Sequence, residues 1–348
     1  VAYQNVGTPR FYINIPEWLS VTGAVQLPEN DTDNKLLTLP VEMSNAYDIN
    51  LDFLGMADNG FLAVLGHDIS PPGSNSYSIE DYTSAKVQMT NVINGDPNQD
   101  GWCYPQYSGF SITTFTGSND IKELKVSEYI NQIGSVVIGT YYDMPHSPEL
   151  DLTMTREMGN SVKRIRTKGG SDLVDYRHIK SPTWGSLAAW ELSYPTGSTI
   201  NQALSRSGRR IWDLSFNYMQ GSDMFGLNQS LSSGLSGTDF NGNLFLGSDY
   251  DAGDINMHSD VDDTGTDTHG NFNYNLLTDD NFFSQVIHKT NGGQLPFIFQ
   301  PDGDGDTPGS GNNNPDQFAI CKFDMKSFKF DQVANGVYNM KLKIREVW

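Results

Sequence analysis

Arg206-Ser-Gly-Arg-Arg-Ile-Trp-Asp-Leu-Ser-Phe-Asn-Tyr218 is the stretch that decides the fold class of this chain. Beyond a turn at Gly208, Ile211 to Phe216 alternates apolar and polar residues, interrupted by the adjacent Ile211 and Trp212. A period of two belongs to a β-strand with one face on a core and one in water. The turn would throw Arg209 and Arg210 to the mouth of a strand that Trp212, Leu214 and Phe216 anchor. Upstream, Leu150, Leu152 and Met154 alternate with Asp151, Thr153 and Thr155. This second strand is expected to have the same one-sided burial. In Val162-Lys-Arg-Ile-Arg-Thr167 a third strand sets Arg164 and Arg166 on the face opposite Lys163, Ile165 and Thr167, and Gly169-Gly170 supplies the following turn.

Farther out the pattern repeats. An opening strand at 8–15 ends at Pro16-Glu-Trp-Leu19, and short apolar runs at 35–41, 49–54, 61–65, 85–93, 121–126 and 135–142 are bounded by Asn, Asp, Gly or Pro. In 107–116, Phe110, Ile112 and Thr114 face one way and Ser111, Thr113 and Phe115 the other. This partial alternation fits burial on both sides. One helix is expected at 277–291, with Thr278 as cap, Asp279 and Asp280 at the positive end of its dipole and Phe282, Phe283, Val286 and Ile287 as apolar stripe. Lys289 near its end and Gly292-Gly293 beyond it complete the signal. Strands at 295–300, 317–323, 328–330 and 337–347 follow. Gly, Ser, Asn and Asp dominate 221–275, a long excursion of the kind that is functional or mobile, and a second excursion runs from 302 to 316.

The chain of 348 residues therefore reads as mainly β: a β-sandwich or jelly-roll-like body with long loops and a smaller C-terminal α+β unit that packs with the opening strand. We divide it into an N-terminal β region (1–105), a sandwich core (106–220), the excursion (221–275) and a C-terminal helix with strands (276–348). The 16 Tyr, 18 Phe and 6 Trp suit large buried sheet surfaces, and 34 Gly with 16 Pro suit many turns. No stretch approaches the roughly 20 apolar residues of a membrane span, and the opening Val1-Ala-Tyr-Gln-Asn5 lacks the basic and apolar regions expected of a signal peptide. Cys103 and Cys321 read as free core thiols of a protein made in a reducing cytosol.

Charge divides the molecule. Ten of 22 basic residues lie in 156–210 with four acidic ones, a balance of +6, while the remainder of the chain carries −26. Such polarity favours oriented docking on an acidic partner or on another copy of the chain. Arg164, Arg166, Arg206, Arg209 and Arg210 are the candidate interface residues, able to grip a neighbour's carboxylates. The alternative for Arg209 and Arg210 is an internal salt bridge, with Asp213 or a loop acid. The acidic chain repels bare nucleic acid, and the basic island has no recognition-helix or RNP pattern, so no direct nucleic-acid recognition is expected.

Other candidate chemistry is sparse. Asp96-Pro-Asn98-Gln-Asp100-Gly101 matches the opening half of a calcium loop, but Tyr107 stands where the bidentate Glu belongs. An Asx-rich turn and a calcium site at Asp96, Asn98 and Asp100 are the two readings. Asp302-Gly-Asp304-Gly-Asp306 is a similar case, with Thr307 at the turn position. Six histidines show no metal-binding spacing, and no metalloprotease, lipase-like or nucleotide-hydrolysing motif occurs. A glycosidase carboxylate pair is not singled out among 42 acids. Trp102, Tyr104, Tyr107, Trp184 and Trp190 could stack on sugars, although buried sheet aromatics are commoner.

Arg206 to Tyr218, Leu152-Thr-Met-Thr-Arg-Glu157, Arg164-Ile-Arg-Thr-Lys-Gly-Gly170 and Leu342-Lys-Ile-Arg-Glu-Val-Trp348 resemble segments of structural proteins of tailed bacteriophages. The terminal order of helix, Gly-Gly, Pro296-Phe-Ile-Phe, Phe318-Ala-Ile-Cys and a long last strand is similar in outline to tail-tip and baseplate proteins. The resemblance brings no catalytic residues. It implies a non-enzymatic virion protein, made in the bacterial cytoplasm, a tail or baseplate component whose partners are copies of itself and other virion proteins. Alternatives are a host-receptor or carbohydrate-binding module at the tail periphery, with or without calcium and with a host-surface glycan as ligand, and a capsid-decorating or head-joining protein.

Overall fold

The computed structural model describes residues 7–21, 41–42, 48–53, 59–67, 69, 75–81, 83–107, 109–116, 121–126, 132–133, 135–150, 152–157, 162–176, 183–184, 187–188, 209–224, 237–238, 244–245, 281–303, 311–314 and 317–347. In chain order the strands begin with β1 (Arg10–Asn14), β2 (Val41–Glu42), β3 (Asp48–Phe53), β4 (Asn59–His67), β5 (Tyr77–Asp81), β6 (Thr90–Ile93), β7 (Gly109–Thr116) and β8 (Ile121–Val126). Then come β9 (Gln132–Ile133), β10 (Ser135–Asp143), β11 (Thr153–Glu157), β12 (Val162–Arg166), β13 (Asp172–Tyr176), β14 (Thr183–Trp184), β15 (Leu187–Ala188) and β16 (Arg209–Gln220). The series closes with β17 (Gly237–Thr238), β18 (Leu244–Phe245), β19 (Phe297–Gln300), β20 (Ala319–Phe323), β21 (Phe330–Ala334) and β22 (Val337–Glu346). The protein is mainly β with large antiparallel sheets.

One sheet organises the chain, in the order β11-β16-β22-β20-β19-β1-β10-β4-β7-β6, with β21 pairing the free part of β22. Every pairing is antiparallel. β1 lies at the join, bonded to β10 on one side and β19 on the other. The C-terminal strands thus continue the same sheet as 209–220, and the boundaries at 105 and 220 do not coincide with a change of sheet.

Burial explains the two kinds of sequence pattern. In β1, Phe11 and Ile13 enter one core cluster while Tyr12 enters another across the sheet, and β4 splits Leu62 and Val64 from Phe61, Ala63 and Leu65 in the same way. Strands covered on both faces need no polar residues, so they read as continuous apolar runs. β7 is also buried on both faces, as its partial alternation predicts. β16 and β22 alternate because their cores lie on one side only: Trp212, Leu214, Phe216, Met340, Leu342 and Ile344 are all buried. The three-stranded sheet β3-β8-β5 adds Ile79, Ile121 and Leu124 to the first cluster. β14 lies against β4.

Several features lock the join at β1. Arg10 donates from Nε and Nη2 to the Asp143 carboxylate at 2.6 and 2.7 Å, with its guanidinium 4.3 Å from the centre of the Tyr141 ring. Tyr12 donates to Gln300 Oε1, and Gln300 Nε2 donates to Asp302 O, Asn312 O and Asn313 Oδ1, tying the base of the second excursion to the sheet. Gly139 of β10 sits opposite Asn14, so close that an added Cβ would stand 1.8 Å from the Ile13 carbonyl oxygen. Gly139→Ala is expected to cost about 1–3 kcal/mol through this backbone clash. Urea unfolding checks it; an unchanged midpoint would show that β1 and β10 can separate at no cost.

The helical expectation is met in part. Residues 283–288 form a π-helix, Phe283–His288, with Phe282, Val286 and Ile287 in the core and Asn281 Oδ1 accepting from the Ser284 N–H. Its expected start at Thr278, Asp279 and Asp280 lies outside the described residues, as do most of 35–41, most of 221–275, Asp304, Asp306 and Trp190. Pro16 and Trp18, expected only to end the first strand, belong to a short helix, α1 (Ile15–Val21). Both cysteines are buried thiols, and burial pushes Cys103 up to about 11. Among the described residues no helix is long and apolar enough to cross a membrane.

Candidate assembly surface

Among the described residues β11 is the outermost strand of the main sheet at one end, paired only through Thr153–Glu157 to Asp213–Arg209. Its parity is as expected, since Met154 shares the face of Trp212. Its burial is not: Met154 is half exposed, Leu150 is 85% exposed, and only Leu152 packs on the core. The core thins out before it reaches the last strand. β11 spans only half of β16, so Ser215 to Gln220 is also an edge, held at Ser215 O by the Glu149 N–H. A bulge between Phe216 and Met219 turns Tyr218 outward at φ 62° and 75% exposure. A left-handed aromatic costs about 1–3 kcal/mol and tends to sit at sites of function.

After β11 the chain forms a hairpin, β12–β13, that is a two-stranded sheet of its own. Thr167 closes its loop, accepting the Ser171 N–H on Oγ1 and donating to Ser171 O, while Gly170 takes φ 83°. Arg166 lies opposite Asp172 and Lys163 opposite Asp175. Ile165 and Leu173 are direct cross-strand neighbours and are 50% and 60% exposed. A lone two-stranded ribbon is marginal in water, and a cross-strand apolar pair left in solvent stabilises it little. Five of the seven large apolar side chains most exposed among the described residues come from this hairpin, the approach to β11, β11 itself and the edge of β16. Leu150, Met154 and Tyr218 lie along the β11–β16 edge, and Ile165 and Leu173 lie on the separate hairpin.

The predicted interface arginines divide. Arg166 is exposed on the hairpin, Arg164 occupies the neighbouring register position opposite Val174, and Arg206 lies outside the described residues. Arg209 is half-buried, opposite Glu157. Arg210 is only 8% exposed and is committed within its own chain. Its Nε and Nη2 reach Glu346 Oε2 and Oε1 at 3.2 and 3.1 Å, its backbone N–H donates to Oε2 at 2.9 Å, and Nη2 also donates to Phe318 O at 2.7 Å. The guanidinium stands 5.2 Å from the centre of the Trp212 ring. Arg210 is therefore a staple between β16, the end of β22 and the approach to β20, which is the internal-pair alternative, made with Glu346 in place of Asp213. Its charge is not offered to a neighbour.

A basic group missed by the sequence reading lies beside the first. On the outward face of β22, Lys341, Lys343 and Arg345 alternate with the buried Leu342 and Ile344, and Lys322 of β20 and Arg209 of β16 flank them. Lys343 pairs with Asp324 at 3.3 Å and Arg345 with Glu157. Lys341 is exposed, and it makes no ion pair among the described residues. An open cleft of 360 Å³ lies here, lined by Asp213, Ser215, Met325, Lys341 and Lys343. Six basic residues fall in 322–345, and the pairing of β22 with β16 sets Lys341, Lys343 and Arg345 opposite Ser215, Asp213 and Ile211. The alternation of Lys and Arg with Leu and Ile in the last strand was the available signal.

At the calcium candidate, Asp96 and Asp100 are exposed and Asn98 is half-buried. Asn98 Oδ1 accepts the N–H groups of Asp100 and Trp102 at 3.0 and 2.9 Å, and Gly101 takes φ 80°. The loop has the Asx-turn geometry, with the Asn98 oxygen aimed at backbone amides. Among the described residues no three His, Cys, Asp or Glu side chains converge as a metal group. Trp102 is half-buried with the Lys86 ammonium 5.1 Å from its ring centre. Comparison with protein-family models, with curated proteins and with solved structures finds no match for this chain.

Proposed function

We propose that the protein is a structural subunit of a bacteriophage particle, a repeated tail or baseplate component with a sandwich- or jelly-roll-like body, which assembles with copies of itself. The observation that carries this reading is the β12–β13 hairpin, which holds Ile165 and Leu173 exposed and pairs with no other strand among the described residues. A chain that acts alone gains nothing from a projecting apolar ribbon, whereas a subunit that hands it to a neighbour buries both residues on docking. Basic residues around the ribbon orient the encounter with an acidic partner of the same sequence. The resemblance of Arg164 to Gly170 and Arg206 to Tyr218 to phage structural proteins supports the choice of particle.

Ile165→Ser with Leu173→Ser tests assembly without touching the core. The expected product is a folded monomer with an unchanged melting temperature where the parent chain forms oligomers in sedimentation velocity. Oligomers of unchanged size and affinity would refute the role given to the hairpin.

A further inference from the structure

We infer that the basic outer face of β16, β22 and β20 is the seat for the Asp-rich segment 249–267 of a second copy of the chain. The inference deepens the assembly reading and rests on it. The face presents Arg209, Lys322, Lys341, Lys343 and Arg345 against Glu157, Asp213 and Asp324, an excess of cations on a molecule whose formal charge is −20. The segment Asp249-Tyr-Asp-Ala-Gly-Asp-Ile-Asn-Met-His-Ser-Asp-Val-Asp-Asp-Thr-Gly-Thr-Asp267 holds seven carboxylates and no Lys or Arg. No other stretch of the sequence carries as many acids in 19 residues without a basic one.

Spacing agrees with charge. Residues two apart on a strand project to one side about 7 Å apart. Lys341, Lys343 and Arg345 repeat at that interval along β22, and Asp249 with Asp251 and Asp260 with Asp262 carry the same separation in sequence. The cleft beside Lys341 and Lys343 is open on the outward side, with Ser215 and Met325 at its walls. It gives a docked carboxylate the Lys341 ammonium together with Lys343, which also pairs with Asp324, and it holds one carboxylate of its own, Asp213. Because the acidic segment and the basic face are different parts of one sequence, the contact closes either as a reciprocal two-fold pair or as a ring or stack.

Charge reversal in two complementary variants decides the point. One carries Lys341→Glu and Lys343→Glu; the other carries Asp260→Lys, Asp262→Lys and Asp263→Lys. Each alone is expected to weaken self-association about a hundredfold, since like charges then meet. Mixed in equal amounts they are expected to recover it, because each face then finds an opposite segment in the other chain. Recovery only in a chain carrying all five substitutions would place the contact within one copy and overturn the inference. Unchanged association of either variant alone would also overturn it. The hairpin variant Ile165→Ser with Leu173→Ser separates the two ideas: loss of oligomers there, with no effect of charge reversal, sinks this inference and leaves the assembly reading standing.

Discussion

Glu346→Ala is expected to cost about 3–5 kcal/mol of folding stability, the loss found when one partner of a buried ion pair is removed. Glu346 is 4% exposed and takes three hydrogen bonds from Arg210, one of them from the backbone N–H. Without the carboxylate, a guanidinium at 8% exposure keeps only Phe318 O and the Trp212 face among these contacts. Removing the carboxylate from a buried charge in that setting costs far more than the net worth of the pair. The double variant Arg210→Met with Glu346→Leu removes both charges and is expected to recover most of the loss. Urea unfolding of the two variants at neutral pH measures the difference. A single variant within about 0.5 kcal/mol of the parent, the range of ordinary surface substitutions, would show that Arg210 finds another partner or water. The same staple makes Arg210 a poor probe of assembly, because reversing its charge attacks the fold first. Substitution of the exposed Ile165 and Leu173 avoids that confusion.

The strands were legible in proportion to how evenly their surroundings treat the two faces. One-sided strands announce themselves by alternation, so Ile211 to Phe216 and the closing strand read correctly, and 121–126 matches β8 residue for residue. Two-sided strands read as apolar runs, and Phe61 to Leu65 was found for that reason. β5 was missed because its polar positions, Ser78 and Glu80, are buried too, Glu80 with Lys125 at 2.8 Å. The apolar run at 85–93 is longer than the strand it holds. Val87 instead donates its N–H to Ile79 O, and β6 starts at Thr90. Of the neighbour relations between strands only one was anticipated, the opening strand against the C-terminal part, which the β1–β19 pairing matches. No local pattern says that β1 stands between β10 and β19, or that Lys341 to Arg345 lies beside Arg209 to Ser215. Counting charge along the chain therefore found one basic island, and only the antiparallel pairing of β16 with β22 showed a second basic row beside the strand that follows it. The internal partner of Arg210 was hidden for the same reason, since Glu346 lies 136 residues away.

Acid is expected to destabilise the protein through His67, by about 1.4 kcal/mol for each pH unit below 6.5. His67 ends β4 at 3% exposure, and burial lowers its pKa from 6.5 to about 3, with the Ile69 backbone contact opposing the shift. The folded imidazole is therefore neutral where an unfolded one takes up a proton. Because the folded value lies below the unfolded value, the unfolded state binds more protons between the two. The stabilising contribution is whole above pH 6.5 and is lost as pH falls toward 3, reaching about 4 kcal/mol over the window. His288, lowered by burial and by Lys289, acts in the same direction. A difference between two proteins removes this shared contribution. His67→Gln keeps a polar group of similar size and cannot take up the proton. Plotted against pH from 7.5 to 4.5, the unfolding free energy of the parent minus that of His67→Gln is expected to fall steadily below about 6.5. A flat difference would mean that the imidazole is protonated as readily in the folded protein as in the unfolded chain, and that the end of β4 opens to water under conditions in which the sheet remains intact.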